Sequence, residues 1–128
     1  MSKAHSEGKF YFKFLQIPAE ALLNPKLSYT DMIIFSFIKN LSTSDRGCWA
    51  ENSFFADILR VTKRTVSASI STLCREDYLF INISGSDNKR HIYVNEEYQD
   101  RYNPIVNLFN RAYVDNDQSA RDEFKKIK

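Results

Sequence analysis

Apolar positions along this chain follow two periods, and the changes between them mark the elements. Phe10, Phe12 and Phe14 alternate across residues 9–17, with Lys13 on the other face, which predicts a half-buried strand. Pro18 stops that strand and opens a short helix over 18–23, since proline is tolerated at the first helical position. Asn24-Pro25 ends it. Ser28 is a good N-cap, and Asp31 completes a variant of the capping box while favouring the positive helix end. The helix that follows, to about residue 41, is apolar almost all round: Met32, Ile33, Ile34, Phe35, Phe37, Ile38 and Leu41. That distribution predicts the central buried helix.

After a polar loop at 42–47 come two closely spaced helices. The first, 54–59, is capped by Asn52 or Ser53 and presents Phe55, Ile58 and Leu59. Arg60-Val61 turns the chain, and Thr62 caps a second helix over 63–75. Val66, Ile70, Leu73 and Cys74 form one buried stripe there, and Lys63, Arg64, Ser67, Ser71 and Arg75 lie away from it. Residues 78–84 and 90–95 read as strands joined by turn formers, a hairpin whose polar tip carries Asn88, Lys89 and Arg90. Asn103-Pro104 reads as a cap and first turn, followed by a stripe of Ile105, Leu108, Phe109 and Ala112 to about 114. A last helix resumes from 119, with Ala120, Phe124 and Ile127 on one side. Tyr29, Phe35 and Trp49 read as packing residues.

Composition narrows the classes. A chain of 128 residues with 43% hydrophobic and 27% charged positions suits one soluble globular domain. No apolar run approaches the roughly 20 residues of a membrane span, and the polar tail at 1–8 lacks a signal-peptide core. A cytoplasmic protein is expected. Two cysteines outside any C-x-x-C pair and two histidines supply neither a disulfide framework nor a zinc-ligand spacing. No metal or cofactor is expected. With three glycines, no phosphate loop, no nucleophile motif and scattered acids, no catalytic residues are expected either.

Charge shifts the picture by its placement. The net charge is only +2, but residues 60–94 carry six Lys or Arg against three acids. Residues 60–75 hold four cations and no acid, a pattern that by itself fits a solvated helix face. Two helices joined by a tight turn form a helix-turn-helix. The major groove of B-form DNA admits the second helix, whose N-terminal residues read base edges. Thr62, Lys63, Arg64 and Thr65 occupy that position, and small Ser67 and Ser71 on the same face allow close approach.

Residues 52–95 resemble a winged helix-turn-helix DNA-binding domain. The matching pieces are Phe55-Ala56-Asp57-Ile58-Leu59, the turn Val61-Thr62-Lys63-Arg64-Thr65-Val66, and the exit from Leu73 to Tyr78-Leu79. With the lead-in elements from residue 10, the chain is most similar to modules of plasmid and phage replication initiators and mobile-element regulators. Arg60 stands where such motifs often carry glycine. The resemblance implies an α+β winged helix-turn-helix over 9–95: N-terminal strand, three-helix core and two-stranded wing, then a helical extension over 96–128. It implies a sequence-specific binder of double-stranded DNA that regulates transcription, replication or transfer of a mobile element. Thr62, Lys63, Arg64, Thr65, Ser67 and Ser71 would face the major groove. Asn88, Lys89 and Arg90 of the wing would meet the adjacent backbone or minor groove. The alternative is a winged-helix module that docks protein. The stripe at Ile105, Leu108, Phe109 and Ala112 either packs back on the domain or pairs with its twin in a homodimer, the second being favoured.

Overall fold

The computed structural model describes residues 12–42, 46–83 and 89–127. Its elements are α1 (Ala19–Leu22), α2 (Tyr29–Leu41), α3 (Asn52–Leu59), α4 (Lys63–Arg75), β1 (Leu79–Ile83), β2 (Arg90–Val94), α5 (Tyr98–Phe109) and α6 (Gln118–Lys125), with a π-helical turn at Asn110–Val114 between the last two.

The expected capping box starts α2. The Ser28 hydroxyl accepts from the Asp31 N–H at 3.1 Å, and the Asp31 carboxylate accepts from the Ser28 N–H at 2.9 Å. Ile34, Phe35 and Ile38 of α2 are fully buried, and the helix packs on α4, α1 and β2. From α4, Val66, Ile70 and Leu73 fill the same core. Tyr29, expected to pack, points outward at the first turn. At the centre lies an aromatic cluster. Phe35 meets Tyr78 and Tyr98 edge-on with centroids 5.0 and 5.1 Å apart, and Tyr78 stacks on Tyr102 at 4.8 Å. The Tyr78 hydroxyl donates to the Glu20 carbonyl at 2.7 Å and accepts from Asn24 Nδ2 at 3.1 Å, so its burial leaves no polar atom unmatched.

Burial raises the pKa of Tyr78, Tyr98 and Tyr102 above the ordinary value of 10.0. The folded chain therefore holds these protons more tightly than the unfolded chain does. Stability from this cluster is intact below pH ~10 and is lost as the pH rises beyond it. Denaturant midpoints at pH ~8 and ~11 should show a clear fall at the higher pH; equal midpoints would contradict the linkage.

β1 and β2 pair antiparallel from Leu79↔Val94 to Ile83↔Arg90. An isolated β-bridge beside the two-stranded sheet was not expected from the polar loop. Cys48 bridges Ile92, its N–H donating to the Ile92 carbonyl at 2.7 Å and its carbonyl accepting from the Ile92 N–H at 2.8 Å. Gly47 makes this possible, with φ +64° and no room for a Cβ, which would lie 2.4 Å from the Ile92 carbonyl oxygen.

Four expectations are corrected. The predicted N-terminal strand does not form over 12–17, and residues 9–11 lie outside the described residues. Alternation alone does not make a strand, and among the described residues no strand lies alongside 12–17 to pair with it. Phe12 instead stacks on Phe37 with centroids 5.4 Å apart, while Phe14 stays exposed. Neither Asn52 nor Ser53 caps α3; the cap position is Glu51, and it makes no side-chain cap bond. α5 begins at Tyr98, not Asn103, and carries Pro104 in its interior. An interior proline costs about 3 kcal/mol. Here Tyr98 and Tyr102, one turn apart, anchor the preceding helix to Tyr78 and offset that cost. Finally, Leu108 and Ala112 are buried within the chain by Ala120 and Phe124 of α6. They offer no surface to a twin, and Ile105 and Phe109 beside them are half-buried. A short polar connection folds α6 straight back onto the stripe.

The turn between α3 and α4 runs through Arg60 at φ 58° and ψ 43°, a left-handed conformation that a side chain disfavours. Arg60→Gly should raise stability by about 1 kcal/mol, read as a higher denaturation midpoint with unchanged slope. A lower midpoint would mean that the Arg60 side chain makes a compensating contact.

Candidate nucleic-acid interface

The outer face of α4 is built from its cap onward. The Thr62 hydroxyl accepts from the Thr65 N–H at 3.1 Å and donates to Thr65 Oγ1 at 3.0 Å, so both threonines are fixed at the helix entrance. Thr62, Lys63, Arg64, Thr65, Ser67 and Ser71 are all exposed, as the stripe of Val66, Ile70 and Leu73 on the buried side requires. Arg64, Ser67, Ala68, Ser71 and Arg75 follow helical spacing along one solvent-facing band. Among the described residues, no ion pair or hydrogen bond engages the Lys63 ammonium or the Arg64 guanidinium, and α4 contains no acid. Short neutral side chains along the band and two cations at its N-terminal end can meet a polyanion closely. The free amides of the first turn add to the attraction.

The wing differs from expectation. Arg90 does not reach outward. Its Nη1 donates to Asn52 Oδ1 at 2.8 Å and its Nη2 to the Ala50 carbonyl at 2.9 Å, so the guanidinium ties the root of β2 to the start of α3. Burial lowers its pKa from the ordinary value, although arginine stays charged at neutral pH. The physical reason lies in the register: Arg90 pairs with Ile83 at the end of the ladder, beside the segment leading into α3. Arg90→Ala should therefore cost about 1–3 kcal/mol of stability through the unpaired Ala50 carbonyl. Duplex affinity measured well below the melting temperature should change less than about threefold; a larger change with the fold intact would return Arg90 to the interface. Lys89 is exposed, its ammonium 5.7 Å from the centroid of the Trp49 ring. Asn88 lies outside the described residues.

Trp49, expected in the core, is 51% exposed beside Lys89. The chain enters the sheet at Cys48, whose side chain is buried, and period-two alternation sends the next side chain out. The Gly-Cys-Trp order before a helix was the available signal, but it required knowing that Cys48 pairs with a strand. His91 lies on β2, with its Nδ1 2.8 Å from the Arg46 carbonyl. Among the described residues, no group of three or more His, Cys, Asp or Glu could hold a metal ion.

A helix-turn-helix domain model matches residues 26–79, which run from just before α2 to the first residue of β1. The match supports α2, α3 and α4 as a helix-turn-helix domain, a class whose presence suggests DNA binding. The helices together with the small antiparallel sheet fit an α+β winged helix. No curated protein and no solved structure matches the chain. Among the described residues, no helix is long and apolar enough to cross a membrane.

Proposed function

We propose that the chain is a sequence-specific double-stranded-DNA-binding protein that regulates transcription, replication or transfer of a plasmid, phage or other mobile element. The observation that carries the reading is the exposed, acid-free face of α4, with Lys63 and Arg64 engaged by no other side chain among the described residues. In this reading α4 enters the major groove. Lys63 and Arg64 anchor its first turn, and one of them reads guanine through its O6 and N7 acceptors. Thr62, Thr65, Ser67 and Ser71 add phosphate or base contacts, and Lys89 meets the neighbouring backbone. The reaction is binding alone, without a catalytic step. The sequence resemblance to replication-initiator and mobile-element modules supports the biological setting.

Selection from a random duplex library, followed by titration of the selected site at several salt concentrations, tests the proposal. About four to six phosphate contacts give a log–log salt slope of about −4 to −5. A palindromic consensus would require two copies on one site, paired through surface other than Leu108 and Ala112. No enrichment, together with background binding at low salt, would favour protein docking instead.

A further inference from the structure

A groove of about 970 Å³ opens beside the entrance of α4, between the segment leading into α3 and the root of the wing. Its apolar lining includes Trp49, Phe54 and Leu41, and Lys63 and Lys89 stand on it as cations. Trp49 and Phe54 are 51% and 39% exposed. We infer that this groove receives an unpaired nucleobase of a DNA strand, stacked on Trp49, with its adjoining phosphate between Lys89 and Lys63. The inference rests on the DNA-binding reading and adds a second kind of contact to it.

Two observations select this occupant. The groove is continuous with the proposed duplex interface, because Lys63 belongs to both. It also combines a half-exposed tryptophan ring, with the Lys89 ammonium over it, and a second cation in Lys63, the pairing of aromatic and positive charge that holds a base and its phosphate together in single-strand sites. The Lys89 ammonium, 5.7 Å from the ring centroid, is within reach of a phosphate next to a base on that ring. Bases inside a duplex have both faces covered by their neighbours. Only a bulged, frayed or single-stranded base can offer its face to Trp49. Glu51 and Ser53 also line the groove and bring an acceptor and a hydroxyl for the amino and keto edges of that base.

Trp49 is the single tryptophan of the chain, so its fluorescence reports on the groove directly. The experiment compares a blunt duplex with the same duplex carrying one bulged base, using labelled DNA for affinity and Trp49 emission for occupancy. The bulged probe should bind about tenfold tighter and quench Trp49 more strongly. Trp49→Ala should remove that gain while leaving blunt-duplex affinity unchanged, and Trp49→Phe should restore most of it. Equal affinity for the two probes, or a gain that survives Trp49→Ala, overturns the inference while leaving duplex binding standing. Failure of both probes to bind overturns both readings. If Trp49→Ala does not fold, the difference in quenching between the probes decides: a stronger quench by the bulged probe supports the stacked base, and equal quenching overturns it.

Discussion

Replacing Lys63 and Arg64 together by glutamate should abolish duplex binding, with a loss on the order of 100-fold or more at low salt and a salt slope shallower by at least about two units. On the proposed reading, two attractive charges become two repulsive ones where the duplex phosphates come closest. The fold gives no competing explanation for such a loss. Both side chains are exposed and, among the described residues, engage no acid. Glutamates in the first turn of a helix also favour its positive end, so the thermal midpoint should hold or rise slightly. Anisotropy of a labelled duplex, alongside a circular-dichroism melt of the same preparation, reads both quantities. An affinity within about threefold of the parent would remove the entrance of α4 from the interface.

Gly47→Ala should be strongly damaging, lowering stability by about 3 kcal/mol. The backbone there is left-handed, which a side chain disfavours by about 1 kcal/mol. The added carbon would also meet the Ile92 carbonyl oxygen at 2.4 Å, and relieving that contact separates the Cys48–Ile92 pair with its two hydrogen bonds. Each such bond is worth about 1 kcal/mol net. The damage should spread to the neighbouring wall, since the bridge holds Trp49 beside the wing root. Urea denaturation of the variant checks the figure, and a midpoint unchanged from the parent would mean that the loop takes another path without cost.

The parts legible in the sequence were those whose signal is local. The Ser28–Asp31 capping box, the Thr62 cap and the stripe of Val66, Ile70 and Leu73 each lie within one helix, where spacing alone fixes the facing of a side chain. The outward band of α4 follows from the same rule. What escaped was decided by distant partners. Arg90 turns inward because Ala50 and Asn52 offer acceptors about 40 positions earlier. Trp49 turns outward because its neighbour pairs with Ile92. Pro104, a sound start signal taken locally, sits inside a helix already anchored by Tyr98 and Tyr102 against Tyr78. The alternating phenylalanines of the N-terminus promised a strand, but pairing depends on where the rest of the chain places a partner, which no pattern of side chains can supply.

The phenol of Tyr78 has a consequence for the smallest fragment that can work. Its acceptor on Glu20 and its donor on Asn24 both precede residue 26, and the rings stacked on it, Tyr98 and Tyr102, follow residue 79. A peptide trimmed to the recognisable motif would keep the tyrosine yet strip away every one of these neighbours. The portable unit of this protein is therefore wider than its signature, extending from α1 through α5.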